Sequence, residues 1–349
     1  MATSARHMAS VIPARMPPLL ARASEPVTVG VSAAIFAVRG DEPLVAVVPA
    51  ARDERIGNGA LPSGPFSPRQ HKSLEAGLRF WVEQQTGIEL TGATQIHTLG
   101  DSAEADADAP ASDPPAVSVC YLALVRPAQC DAVGGASWRS WYDFFPWEDW
   151  RRGKPRCLTD AIEPCLGLWA KDTPGVGEGG AGAFLDRGQR LRIAFGSDGA
   201  AWDEEKVLER YELLCEAAAD EEDGEAGAGD WTFWHGLPRL SHPMLGDHAR
   251  VLARAIGKLR HSVKCEPVIF ELMPEEFTLF ELQKTVEAIL GPHLHKQNFR
   301  RLVEGGGLVE PTGEHRLRTG GRPARLYRFR RDVLLERLAP GVRVKAGRG

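Results

Sequence analysis

One stretch near the C-terminus constrains the fold more than any other: FTLFELQKTVEAILGPHLHKQNFRRLVEGGGLVEPTGEHRLRTGGRPARLYRFRR, residues 277–331. Thr278 followed three residues on by Glu281 is the pattern of a capping box, in which each residue satisfies a backbone N–H left free by the first helical turn. Leu279, Leu282, Val286 and Ile289 then recur at helical spacing, and Gly291-Pro292 stops the helix. The spacing predicts a second, short helix over roughly His295 to Val303. At about 100° per residue, its Phe299, Leu302 and Val303 share one face, while Lys296, Gln297, Arg300 and Arg301 fall on the opposite arc. Gly305, Gly306 and Gly307 end it. Two strand-like runs, around Leu308 and Tyr327, flank a loop holding Arg316, Arg318 and Arg322.

Helix, turn, basic helix, glycine break and cationic hairpin follow each other in the order of a winged helix-turn-helix. On that reading Lys296, Gln297, Arg300 and Arg301 enter the major groove of double-stranded DNA, because Arg and Gln can hydrogen-bond purine edges in pairs. Arg318, Arg322 and Arg325 follow phosphates or the adjacent minor groove, and Asn298, nearer the apolar edge, reaches backbone. The alternative is a solvated basic hairpin on some other α+β domain. Charge is distributed to match a localised anion-binding face. The net charge of −5 hides an asymmetry: residues 241–349 hold 20 of the 42 Lys and Arg but 12 of the 47 Asp and Glu, a surplus of eight positive charges. The first 240 residues are therefore acidic by thirteen.

At 349 residues the chain exceeds one average domain. Residues 1–26 are read as a disordered tail, with an organelle transit peptide as the alternative, since Arg6, Arg15 and Arg22 precede the first acid. From Val27 two β-rich runs joined at Arg39-Gly40-Asp41 suggest a hairpin. A Gly/Pro/Ser-rich loop, 58–70, leads to a helix that Ser73 can cap, that Leu74, Leu78 and Val82 line, and that Gly87 ends. Strand-like runs at 95–99 and 116–127 bracket an acidic loop, Asp101 to Ala111. Strands around a loop-helix-loop give an α+β sandwich over residues 27–172. Residues 138–155 carry four tryptophans, which either pack the domain edge or wall a pocket for a planar ligand.

A glycine-rich loop and helical insertion follow over 173–219. Gly175 to Gly180 matches a dinucleotide fingerprint formally, but without a preceding strand it reads as chance. The acidic run 220–230 is taken as a linker and domain boundary. Residues 231–338 are then a linker helix and the DNA-binding domain, and 339–349 a basic tail. In the linker helix Val251, Leu252, Ala255, Ile256 and Leu259 form an apolar side that could dock on the winged helix or on a second subunit, opposite a basic row of Arg250, Arg254 and Lys258. The six scattered cysteines suggest free thiols in a reducing compartment. His242 and His248 lack partners for a metal site, and His293 and His295 read as turn histidines. No apolar run approaches a membrane span, and no P-loop or nucleophile elbow is present.

The loop-helix-loop is similar to a Nudix box, with Leu61-Pro62-Ser63-Gly64 before it and Thr86-Gly87-Ile88 after it. In Nudix hydrolases that helix presents paired glutamates to Mg²⁺ on a pyrophosphate. Here Gln84 and Gln85 stand in their place, and Phe80-Trp81 replaces the Arg-Glu pair. Glutamine keeps the shape and a carbonyl oxygen but loses the charge. Glu75 and Glu83 remain on the helix at positions turned away from those of the pair.

With KQNFRR and GGRPARLYRF downstream, and with HKSLEAGLRFWVEQQTG, YDFFPWEDWRRGKP and WDEEKVLERYELL, the chain resembles the Nudix-related transcriptional regulators of NAD metabolism. Its likeness is to their longer alphaproteobacterial branch, over roughly Val27 to Leu338. The resemblance implies a Nudix-like α/β/α sandwich followed by a C-terminal winged helix. It further implies a cytoplasmic bacterial repressor of NAD biosynthesis or salvage genes that acts as a homodimer on operator DNA. ADP-ribose or another NAD metabolite is the expected effector, met by Arg79, Trp81, Glu83, Gln84, Gln85 and Trp147 in one cleft. No catalytic residue, metal or cofactor is expected. The alternative is an active Nudix hydrolase acting on ADP-ribose or a related nucleoside diphosphate derivative.

Overall fold

The computed structural model describes residues 27–49, 59–100, 116–131, 135–171, 185–223, 241–316, 323–336 and 341–342. The N-terminal tail, the acidic loop from Asp101 to Ala111, the glycine-rich run 173–184, residues 224–230 of the acidic linker, and Arg318 and Arg322 lie outside the described residues.

Strands β1 (Thr28–Arg39) and β2 (Glu42–Pro49) form the expected hairpin. They join β3 (Gly59–Ala60), β4 (Ser63–Pro65), β5 (Thr94–Gly100), β6 (Ala116–Leu124) and β7 (Ser137–Ser140) in one mixed sheet. The main order is β3-β2-β1-β6-β5, with β4 on the first half of β1 and β7 on β2. Only β1 and β6 run parallel among these pairs. Side chains alternate along β1, so Val31, Ala33 and Ile35 face one side and Ala34, Phe36 and Val38 the other, and both sides are buried.

Helix α1 (Leu74–Thr86) covers the first side with Leu78 and Val82. Its ends follow the sequence reading: the Ala76 N–H donates to Ser73 Oγ at 3.1 Å, and Gly87, at φ 70°, donates its N–H to Glu83 O at 2.8 Å. The second side is covered by the tryptophan-rich segment and by α2 (Glu163–Trp169), α3 (Arg187–Phe195), α4 (Val207–Asp223) and α5 (His248–Cys265). The helix-turn-helix comprises α6 (Leu279–Leu290) and α7 (Lys296–Gly305). The wing is β8 (Val309–Arg316) paired antiparallel with β9 (Ala324–Phe329), and α8 (Val333–Glu336) follows. Thr278 and Glu281 form the reciprocal capping box expected of them. Phe277 and Tyr327 exchange backbone hydrogen bonds of 2.9 and 2.8 Å, which closes the wing onto the start of α6.

Two expectations about organisation change. The boundary placed at 220–230 begins inside a helix, because α4 continues to Asp223. More importantly, one apolar core runs from Phe36 and Val45 of the sheet through Leu213, Leu214 and Ile256 to Leu282, Val286, Phe299 and Val303 of the helix-turn-helix. The insertion and the linker helix are therefore the layer between the sheet and the helix-turn-helix. The apolar side of α5 is used up inside the chain, with Val251, Leu252, Ala255, Ile256 and Leu259 all buried. At the chain end Gly341 and Val342 donate their N–H groups to Cys265 O and Val263 O, so this part of the expected basic tail lies against α5. No helix among the described residues is long and apolar enough to cross a membrane.

Charge is buried at the centre of the second layer. Glu148 accepts from Arg210 of α4 through Nε (2.6 Å) and Nη2 (3.0 Å), and from Arg260 Nη1 of α5 (2.6 Å); all three side chains are fully buried. Burial opposes ionisation of Glu148, but the two guanidiniums outweigh it and hold the carboxyl below its ordinary range.

A second polar tie joins α5 to the sheet edge, where the Leu61 N–H donates to His248 Nδ1 at 3.0 Å. Burial pushes this imidazole down to about 4, against the partial pull of Asp247. Below about pH 6.5 the unfolded chain takes up a proton that the folded chain refuses. Stability fully present above that pH is thus lost as it falls toward 4, by on the order of 2–3 kcal/mol from this group. His248→Asn keeps an acceptor without a titration. Urea unfolding at pH 7.5 and pH 5 is expected to show a smaller loss in the variant than in the wild type.

Candidate nucleic-acid interface and effector face

Helix α7 is held by Phe299 and Val303, which are buried, while Lys296, Gln297, Asn298, Arg300 and Arg301 are all exposed. The separation of arcs inferred from the spacing is thus present in three dimensions. Asn298 is as open as its neighbours rather than at the edge of the core, and its Oδ1 accepts from Arg301 Nη2 at 3.0 Å. Beside α7 lies a groove of about 650 Å³ whose walls include Phe280, Gln283, Lys296, Arg300, His315 and Arg325. Arg325 lies over the Tyr327 ring at 5.6 Å, which aims its stem along the hairpin.

The arginines of this region fall into two groups. Arg316 is paired with Glu281 (2.6 Å), Arg328 with Glu310 (2.6 Å) and Arg330 with Glu336 (2.6 Å). Lys296 and Arg300 make no ion pair among the described residues, so their charge is available at the groove. The turn between α6 and α7 depends on Glu287, a residue that sequence reasoning missed. Its carboxylate accepts from the Leu294 N–H (3.0 Å), Gln283 Nε2 (2.9 Å) and Lys284 Nζ (3.0 Å), and lies 3.2 Å from His293 Nδ1. Burial disfavours its charge, yet these donors hold the carboxyl below its usual range. A signal was there: an acid in the last turn opposes the helix dipole, so it needs local donors.

On α1 the expected effector residues separate. Glu83 and Gln84 are exposed. Gln85 has both ends of its amide engaged by Ser63: the Ser63 N–H donates to Oε1 (3.0 Å) and Nε2 donates to Ser63 O (2.8 Å). Trp81 Nε1 donates to Pro65 O (2.9 Å), and its ring lies so close to Gly64 that a Cβ there would collide with it. Arg79 Nη2 bonds Glu75 (2.7 Å), and its Nη1 donates to Leu90 O, which pins the loop after the helix. Gln85 and Trp81 thus stitch α1 to β4, and Arg79 stitches it to the loop that follows.

The expected single cleft is corrected for Trp147. That ring is buried on the opposite side of the sheet, edge-on to Phe145 at 5.7 Å, because the segment after β7 crosses from the α1 side, where Trp138 packs, to the side of Trp141 and Trp147. The tryptophans pack the domain rather than wall a pocket on the α1 side. Among the described residues no cluster of His, Cys, Asp or Glu could hold a metal ion.

Gln85→Ala removes two hydrogen bonds to backbone, with an expected loss of about 1–3 kcal/mol in urea unfolding. Gln85→Glu should be destabilising as well, since a carboxylate cannot donate to Ser63 O. Exposed Gln84→Ala is expected to stay within about 0.5 kcal/mol of the wild type.

Residues 269–329 match the family described as the NrtR DNA-binding winged helix domain. A curated relative from Acinetobacter baylyi, the ADPR responsive transcriptional repressor NtrR, is 42% identical over 83 residues, 24% of this chain and 33% of the relative. The chain thus spans about a third of the length of that relative. The crystal structure of Shewanella oneidensis NrtR complexed with a 27mer DNA superposes with a TM-score of 0.50 at 20% identity, covering 87% of this chain and 94% of that one. The crystal structure described simply as Shewanella oneidensis NrtR gives the same score and identity, with 87% and 95% covered. These two likenesses concern the fold alone, here an α+β sandwich followed by a winged helix. Residues 269–329 are thus similar to the NrtR DNA-binding winged helix domain, and they sit on an α+β architecture like that of the superposed chains.

Proposed function

We propose that the protein is an effector-responsive transcriptional repressor that binds operator DNA through α7 and the wing. The observation that carries this reading is the exposed arc of Lys296, Gln297, Asn298, Arg300 and Arg301 beside a groove that Arg325 also lines. The winged helix match supports it. So does the relative described as an ADPR responsive repressor. Lys296, Gln297, Arg300 and Arg301 enter the major groove; Arg325, with Arg318 and Arg322 between β8 and β9 in sequence, follows phosphates. The chain acts as a homodimer in the bacterial cytoplasm, with its two α7 helices set for half-sites about one DNA turn apart.

The effector is ADP-ribose or a related NAD metabolite, and it meets the α1 side of the sheet, around Trp81, Glu83 and Gln84. Regulated genes of NAD biosynthesis or salvage fit such an effector. The chain does not hydrolyse it: Gln84 and Gln85 offer no charge to a divalent ion, and the Gln85 amide is already engaged by Ser63. The ligand shifts DNA affinity only through unequal affinity for the two arrangements of the dimer.

On DNA from upstream of its own gene, Arg300→Ala is expected to weaken binding by about 1–3 kcal/mol in fluorescence anisotropy. Arg316→Ala should cost less, because its charge is held by Glu281. Unchanged affinity in Arg300→Ala and in the double variant Arg300→Ala/Arg322→Ala would refute the assignment of this interface. Incubated with ADP-ribose and Mg²⁺, the protein is expected to release no AMP; brisk turnover would instead establish the hydrolase.

A further inference from the structure

The C-terminal turn of α6, which leads directly into the turn before α7, is gripped by side chains from outside the winged helix. Tyr142 donates its hydroxyl to Ala288 O at 2.8 Å. Arg260 Nε donates to Ile289 O at 2.8 Å, while its Nη1 holds Glu148 and Glu204 O and its Nη2 reaches Glu148 O. Gly291, at φ 97°, sits so near this segment that a Cβ would lie 3.3 Å from Trp150 Cβ and 3.4 Å from Glu148 O. Glu148 is fixed in turn by Arg210, whose Nη1 donates to Ala194 O and Asp203 O and whose guanidinium lies 3.8 Å over the Trp202 ring.

Tyr142 and Glu148 both lie in the segment that leaves β7, and β7 is paired with β2 at the sheet edge. The strand carries Trp138 toward the α1 side, and the chain then passes to the opposite side at Trp141. This one segment therefore touches both the layer of α1 and the base of the reading head. The carbonyls at the end of α6 are the negative end of its dipole, a fitting target for Arg260 and a phenol.

We propose that Glu148, acting through Arg260, and the Tyr142 hydroxyl form a clamp on the end of α6 that sets the pose of the recognition helix on the sandwich. Both are positioning residues, and neither is offered as touching DNA or effector. The consequence for regulation rests on the repressor reading above: effector bound on the α1 side reaches α7 through this clamp. Loosening it leaves both binding sites in place and uncouples them.

The test uses the full chain with Tyr142→Phe, Glu148→Gln and the conservative Glu148→Asp. Three measurements are needed: operator affinity with and without saturating ADP-ribose, the calorimetric affinity for ADP-ribose alone, and amide hydrogen exchange across residues 287–295. Tyr142→Phe is expected to keep ADP-ribose affinity within about twofold while the ratio of operator affinities, with against without effector, shrinks about fivefold or more. Exchange should rise at 287–295 and not in α1. Glu148→Gln should act in the same direction, with Glu148→Asp partly restored. If Glu148→Gln does not fold, Tyr142→Phe decides alone. Wild-type exchange at 287–295 in Tyr142→Phe would overturn the clamp. Raised exchange with an unaltered effector ratio would overturn its regulatory role. A wild type that ignores ADP-ribose would count against the repressor reading with that effector, and against the regulatory role, while the exchange measurement would still decide the clamp.

Discussion

Three fully buried charges, Glu148, Arg210 and Arg260, hold the second layer of the molecule together. Taking such groups out of water is costly, and one carboxylate cannot neutralise two guanidiniums. What completes the arrangement is a set of backbone oxygens, from Ala194, Asp203, Glu204 and Ile289, each accepting from one of the arginines. Those four carbonyls belong to the end of α3, the turn before α4 and the end of α6. Apolar side chains could fill the same volume without the desolvation cost, but would bind none of those oxygens. The insertion helices, the linker helix and the reading head therefore share one fixed point.

Local rules made many elements legible. The cap at Ser73, the stop at Gly87, the box of Thr278 and Glu281 and the arcs of α7 all depend on neighbours within a few residues, and all are present. What escaped depended on partners far away along the chain. Nothing local distinguishes Glu148 from its neighbour Asp149, yet one is sealed between α4 and α5 while the other pairs near the surface with Arg151. The expected cleft groups Trp147 with the helix residues, whereas the chain crosses the sheet edge after β7 and carries that ring to the other side. That Gln84 and Gln85 carry amides where the resemblance expects carboxylates is legible in the sequence; that Gln85 spends both ends of its amide on Ser63 is not, because that contact is set by the fold.

The same geometry alters the picture of two domains on a linker. A core continuous from Phe36 to Val303 leaves little room for the winged helix to swing freely against the sandwich. The coupling proposed between the sides of the sheet would instead follow a narrow covalent route, the edge strand β7 and the aromatic segment after it. This favours small, concerted shifts of packed elements over hinge motion, since close-packed interiors respond by switching arrangement rather than by bending.

Glu281 divides its carboxylate between two tasks: one oxygen receives the Thr278 N–H at the start of α6, and the other holds Arg316 of the wing. A phosphate that draws Arg316 away takes over only the second oxygen's partner and leaves the cap intact. On the repressor reading proposed above, the wing would act as an ion exchanger, trading a resident carboxylate for a visiting phosphate. Such a trade would align the duplex while adding little net hold, with the displaced acid at hand to reclaim its arginine.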